Sequence, residues 1–109
     1  IGGRTPRSLR RAVELADGWS PFGLSLAEMA TMLDRARESE AWAARTTPLE
    51  VALQPGAFDP IGDPAATQER LGEMARMGAT VVETRVRNES VEHCIEQLAA
   101  LKQLNDALD

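Results

Sequence analysis

The chain opens Ile1-Gly2-Gly3-Arg4-Thr5-Pro6-Arg7-Ser8-Leu9-Arg10-Arg11-Ala12-Val13-Glu14-Leu15-Ala16-Asp17-Gly18-Trp19, and the reading of this stretch decides the fold. Ile1-Gly2-Gly3 is the stub of a strand. Thr5 followed by Pro6 has the chemistry of a helix N-cap and first helical position. Leu9, Ala12, Val13 and Ala16 recur at i, i+3, i+4 and i+7, the stripe of a helix that covers a sheet. Asp17-Gly18-Trp19-Ser20-Pro21 then reads as a second strand, so the unit is strand, helix, strand. At its first junction the glycine pair can turn through positive φ. Unpaired N–H groups and the positive end of the helix dipole converge there, an arrangement suited to an anion.

The same unit recurs along the chain. Ser25 and Glu28 have capping-box spacing ahead of Met29, Met32, Leu33 and Ala36, which predicts a second helix extending to about Ala44. Leu49–Leu53 alternates as a strand, and a loop rich in Pro, Gly and Asp spans Gln54–Gly62. Asp63-Pro64 starts a third helix with Leu71, Met74 and Ala75 inward and Gly78 past its end. Thr80–Val86 is a β-rich run. Ser90 begins a fourth helix whose stripe is Val91, Cys94, Ile95, Leu98 and Leu101. The order β-α-β-α-β-α-β-α predicts a single α/β domain over residues 1–109, with a parallel sheet and no repeat beyond the shared unit.

Composition narrows the function classes. Apolar residues make up 43% of the 109, so the chain can build a core. The net charge of −5 argues against non-specific nucleic-acid binding. No stretch approaches the ~18 apolar residues of a membrane helix. Cys94, the single cysteine, allows no intrachain disulfide or Cys-based metal site and suits a reducing cytoplasm. Four arginines, Arg4, Arg7, Arg10 and Arg11, fall within the first eleven residues, either as a solvated helix face beside Glu14 and Asp17 or as a positive field near the glycine pair.

In a parallel sheet the functional edge is where strands end and helices begin. Gly2, Gly3, Arg4 and Thr5 fall there, as do Ser20, Pro21 and Phe22, the Gln54-Pro55-Gly56 loop, and Arg85, Arg87 and Asn88. Asp17 and Gly18 follow a helix and fall at the opposite face, as a tight turn. In Val81–Val86, alternation sends Val82, Thr84 and Val86 one way and Val81, Glu83 and Arg85 the other. Glu83 and Arg85 are then either a surface or interface pair or, if the sheet closes into a barrel, groups on its inner face. Trp19 is expected in a core, with the barrel lining as the other option. Cys94, on the apolar stripe, is expected as a packed thiol. His93 is given no role, and no metal ligand set is seen.

From the glycine pair through the arginine-rich helix to Asp17-Gly18-Trp19, the sequence resembles the luciferase-like monooxygenase family of flavin- and F420-dependent oxidoreductases. The resemblance is specific in residues 1–21, with generic support from Gly78-Ala79-Thr80-Val81-Val82. It implies part of a TIM (β/α)8 barrel, its C-terminal half, with helices on the outer side of the sheet. A whole barrel takes roughly 250 residues, so the chain looks like the C-terminal portion of such an enzyme.

The family's Gly-Gly-x-Ser/Thr segment implies that Gly2, Gly3, Arg4 and Thr5 contact the cofactor phosphate, with Thr5 supplying the hydroxyl usually given by Ser. The cofactor implied is F420, with FMN as the alternative, and the chemistry is hydride or oxygen transfer on a small-molecule substrate. The family's catalytic side chains come mostly from the first half of the barrel, so no catalytic residue is assigned. A second reading is a non-catalytic half-barrel that pairs with another copy or chain. Either way the bare sheet face, including Val81 and Trp19, is expected to be apolar and to need the missing N-terminal half or an oligomer to cover it.

Overall fold

The computed structural model describes residues 1–108. In chain order the elements are β1 (Gly2–Gly3), α1 (Pro6–Leu15), β2 (Gly18–Pro21), α2 (Leu26–Arg37), α3 (Glu40–Ala43), β3 (Glu50–Phe58), α4 (Pro64–Met77), β4 (Val81–Val86) and α5 (Val91–Asp106). The four strands form one sheet in the order β1-β2-β3-β4, and every neighbouring pair is parallel. This is an α/β fold with a sequential parallel sheet flanked by helices, compatible with an arc of a β/α barrel. The radius of gyration of 15.5 Å exceeds the about 13 Å of a compact domain of this length. Among the described residues no helix is long and apolar enough to cross a membrane.

Burial shows which face the helices cover. Trp19 lies opposite Val51 and Leu53 opposite Val82. Trp19, Val51, Leu53 and Phe58 join Leu9, Ala12 and Val13 of α1, Met29 and Leu33 of α2, and Leu71 and Met74 of α4 in one core. Alternate strand residues, Gln54, Val81, Glu83 and Arg85, are exposed on the other face. Trp19 is therefore not on the bare face. It is 1% exposed, and its indole Nε1 donates to Ser8 Oγ of α1 at 3.3 Å. The bare face is also more polar than expected: of the residues foreseen as apolar there, only Val81, at 41% exposure, remains.

Helix starts follow the sequence closely. Ser25 Oγ accepts from the Glu28 N–H at 3.1 Å while Glu28 Oε1 accepts from the Ser25 N–H at 3.4 Å. Asp63 Oδ1 accepts from the Ala66 N–H, and Gly78 ends α4 at φ +113. The second helix, however, does not run on to Ala44. Ser39 interrupts it: its Oγ donates to Ala36 O at 2.6 Å, closing α2, and accepts from the Trp42 N–H at 3.2 Å, starting α3.

Two other boundaries move. The third strand continues past Leu53 to Phe58, because pairing with β4 resumes at Gly56 opposite Thr84 after a register shift. Gln54-Pro55-Gly56 is therefore a bulged part of the strand, with Gly56 at φ +92, and the loop starts at Asp59. In α5 the expected stripe is rotated. Val91, Ile95 and Leu98 are 73%, 62% and 52% exposed, and the inward line is Gln97, Leu101 and Leu104, with Cys94 half-buried and Leu108, just past the helix, packed on the core.

Helix C-termini are closed by arginines from neighbouring segments. Arg45 Nη1 donates to Val13 O at 2.7 Å and Ala16 O at 2.9 Å, and Arg45 Nε donates to Thr47 O at 3.1 Å. Helix α1 has no basic residue in its own last turn, so Arg45 supplies the cation its negative end favours. Arg37 of α2 similarly donates to Met77 O at 2.7 Å at the end of α4. Replacing Arg45 with Met should lower unfolding free energy by about 1.5–3 kcal/mol, the range for hydrogen bonds from a charged donor, measured by urea denaturation.

Candidate functional site

The β1–α1 junction is held by a reciprocal pair of caps. Thr5 Oγ1 accepts from the Ser8 N–H at 3.2 Å, and Ser8 Oγ accepts from the Thr5 N–H at 3.3 Å. The Ser8 hydroxyl donates to Thr5 O at 2.7 Å, and its oxygen also receives the Trp19 indole. Sequence reading placed Thr5 correctly and missed Ser8, since the usual partner at that position is Glu or Gln.

Gly3 sits at φ +136, and a Cβ there would lie 2.6 Å from Ser8 Cβ and 2.8 Å from Ser8 Oγ. The glycine is thus required by the close approach of α1, whatever else binds. Of the first-turn N–H groups, those of Thr5 and Ser8 are used in the caps and Pro6 has none, which leaves the Arg7 N–H without an intrahelical acceptor. The Thr5 hydroxyl proton also remains, because its oxygen acts as acceptor in the cap.

Arg4 extends from this junction toward the next loop. A Cβ on Gly23 would lie 3.4 Å from Arg4 Nη1, so the guanidinium lies beside the loop that follows β2, next to exposed Phe22. None of Arg4, Arg7, Arg10 and Arg11 forms an ion pair among the described residues, and all four are exposed. The structure brings Gly2, Gly3, Arg4 and Thr5 together with Phe22 and Gly23 at the C-terminal edge of the sheet. Asp17 and Gly18 lie at the other end, where the Glu50 N–H donates to Asp17 O at 3.0 Å.

A second cluster on the same edge was not foreseen. Gln97 is completely buried, and its amide ties two loops together. Its Nε2 donates to Asp59 Oδ1 at 2.7 Å and to Arg87 O at 2.9 Å, and its Oε1 accepts from the Ile61 N–H at 2.9 Å. Asp59 Oδ1 also accepts from the Gly62 N–H at 3.1 Å. The Gln97 hydrogen bond first, then that of Gly62, with the Arg87 charge adding to them, holds the Asp59 carboxyl below its ordinary value. The available signal was a lone polar residue between Cys94 and Leu101 on one helical face.

The remaining sequence candidates separate. On the bare face Gln54 Nε2 donates to Glu83 Oε2 at 3.1 Å, with Arg85 two residues further along β4. His93 is half-buried, its Nδ1 accepting from the Glu89 N–H at 3.1 Å. Among the described residues no group of three or more His, Cys, Asp or Glu is placed to hold a metal ion.

Gly3→Ala should destabilise the fold by about 2–4 kcal/mol, combining backbone strain with overpacking, as read by thermal or urea unfolding. Gln97→Leu removes every hydrogen bond of a fully buried amide and leaves the part-buried Ile61 N–H and Arg87 carbonyl without that partner, at about 1–3 kcal/mol in all. The depressed Asp59 value means that its contribution to stability is present above the ordinary carboxylate range and is lost as pH falls through the lowered value. The stability difference between the wild type and Asp59→Asn should therefore shrink in unfolding curves taken progressively below about pH 4. Comparison with protein-family models, curated proteins and solved structures gives no match.

Proposed function

We propose that the chain is the C-terminal portion of a luciferase-like, F420- or FMN-dependent oxidoreductase or monooxygenase acting on a small molecule in the cytoplasm. In this reading its four β/α units are half of a TIM barrel. Its role is to hold the cofactor phosphate at Gly2, Gly3, Arg4 and Thr5. One observation carries the reading: the Gly-Gly-x-Thr segment lies at the C-terminal edge of a sequential parallel sheet, with donors in excess of local need. The Arg7 N–H, the Thr5 hydroxyl proton and the Arg4 guanidinium are all available at the positive end of α1. That donor set fits a phosphate.

The bound coenzyme supplies the hydride or oxygen chemistry. The residues here bind its phosphate, fix its depth at the sheet edge and, through the Ser8 and Trp19 hydrogen bonds, keep the junction from shifting. In this reading the catalytic side chains come from the other half of the barrel. Between cofactors, the arginine-rich helix and the Asp-Gly-Trp ending favour F420 by resemblance, with FMN the alternative.

A second reading, a non-catalytic half-barrel that pairs with another copy or chain, is favoured by the exposed Val91, Ile95 and Leu98 stripe. Its test is sedimentation: a discrete, soluble dimer with no cofactor affinity supports the module, whereas cofactor binding in the intact protein supports the enzyme.

For the enzyme reading, Thr5→Ala in the intact protein should weaken F420 or FMN binding by about 1.5–3 kcal/mol, while Thr5→Ser keeps both cap and affinity. Fluorescence titration measures this. Unchanged affinity in Thr5→Ala removes the phosphate role.

A further inference from the structure

We propose that the helix-free face of the sheet carries a ligand subsite, formed by Gln54 of β3 with Glu83 and Arg85 of β4, for a small carboxylate that also bears a hydroxyl or ammonium donor. As a substrate subsite it rests on the oxidoreductase reading, which places this face inside the barrel. The residues themselves define the ligand chemistry.

Three observations support it. First, beyond Ala52, Ala57 and Val81, this face of β3 and β4 carries polar and charged residues that are the wrong kind for a packed core. Gln54, Glu83 and Arg85 are exposed there, while on the opposite parity of the same strands Leu53, Phe58 and Val86 are buried, Val82 is half-buried and only Thr84 and Gly56, at the bulge, are exposed. A face lined in this way is matched to polar contents.

Second, the polar groups are arranged and incompletely used. Gln54 Nε2 orients Glu83 through Oε2, which leaves Glu83 Oε1 and Gln54 Oε1 as acceptors. The Arg85 guanidinium forms no ion pair among the described residues. Gln54, Gly56, Glu83, Thr84 and Arg85 line a depression of about 400 Å³.

Third, the backbone is bent here. Two residues of β3, Gln54 and Pro55, stand opposite Glu83 before pairing resumes at Gly56. Gly56 adopts φ +92 with nothing within 4 Å of where a Cβ would be, so no crowding demands the glycine, only the turn of the chain. Thr84 Oγ1 donates to Gly56 O and fixes the bulge. Bulges of this kind re-aim side chains and concentrate beside binding sites.

The ligand class follows from the donors and acceptors. Arg85 presents a fork that matches a carboxylate in two parallel hydrogen bonds. Glu83 and the Gln54 carbonyl accept from a hydroxyl or ammonium. Residues i and i+2 on one strand face stand about 6.5–7 Å apart, a span met by a hydroxy- or amino-carboxylate with a few bonds between its groups. Strands β4 and β1 are three steps apart, about 14 Å along the sheet. In the barrel reading this face is concave, so the subsite would face the Gly2–Thr5 junction across it and leave room for a reacting centre between them.

The test is a titration of the isotope-labelled full chain with 3-hydroxybutyrate and, separately, butyrate, followed by amide shifts. Shifts centred on residues 54–57 and 83–86 are expected, with the hydroxylated probe binding more tightly. Arg85→Met should weaken both probes about tenfold or more, Arg85→Lys should restore part of the loss, and Glu83→Ala should abolish the preference for the hydroxyl. Gln54→Met, on the neighbouring strand, should likewise reduce that preference and serves if a β4 variant fails to fold. Absent shifts, shifts centred elsewhere, or Arg85→Met binding like the wild type overturns the subsite.

Inorganic phosphate titrated into the same samples separates the two ideas. Phosphate shifts at residues 4–8 without carboxylate binding remove the subsite alone. Arg85-dependent carboxylate binding without phosphate shifts leaves the subsite standing and removes its placement in an oxidoreductase.

Discussion

Parallel strands cannot be joined by a tight turn; each pair needs a crossover long enough to return the chain to the starting end of the sheet. When strands also follow one another in sequence, the near-universal right-handedness of crossovers sends every helix to the same face. The rest of this structure depends on that constraint. It explains why Trp19, Val51, Leu53 and Phe58 share a core with α1, α2 and α4. It also explains why the alternate residues of the same strands face away from all of them, and why every β-to-α junction lies along one edge.

Polar hubs hold the junctions in place, each a single side chain joining segments distant in sequence. Ser8 Oγ joins the start of α1 to the Trp19 indole of β2. The Gln97 amide joins the loop after β3 to the loop after β4. Arg45 and Arg37 reach across to close the ends of α1 and α4. Removing one partner of a buried hydrogen bond strands the other away from water, which costs more than the bond's modest net contribution, so a few such residues are effective at fixing loop positions. Two of the hubs, Ser8 and Gln97, lie on the edge that carries the proposed phosphate cradle.

The helix starts were legible because their chemistry is local. Thr5-Pro6, Ser25 with Glu28, and Asp63-Pro64 each satisfy N–H groups within three residues, so no distant part of the fold is needed to recognise them. The strand β3 was cut short in the reading because Pro55 and Gly56 are ordinary loop residues. Only the pairing with β4, distant in sequence, carries the strand through them. The stripe of α5 was misread for a related reason. Val91, Ile95 and Leu98 are as apolar as Leu101 and Leu104, and periodicity alone does not say which of two adjacent helical faces meets the sheet.

The sequence by itself determined the alternation of strands and helices, the parallel sheet that alternation demands, and the place of Gly2-Gly3-Arg4-Thr5 at the end of a strand and the start of a helix. These follow from spacings of a few residues. The tertiary structure alone decided that Gly3 is required by the approach of Ser8, that Trp19 lies under α1, and that Gln97 locks two loops. It alone decided that Gln54 meets Glu83 on the bare face. The contacts of Gln97 with Asp59 and Ile61 and of Gln54 with Glu83 join residues 29 to 38 positions apart, and even the shorter-range approach of Ser8 to Gly3 and Trp19 depends on how α1 settles against the sheet, a geometry no local pattern contains.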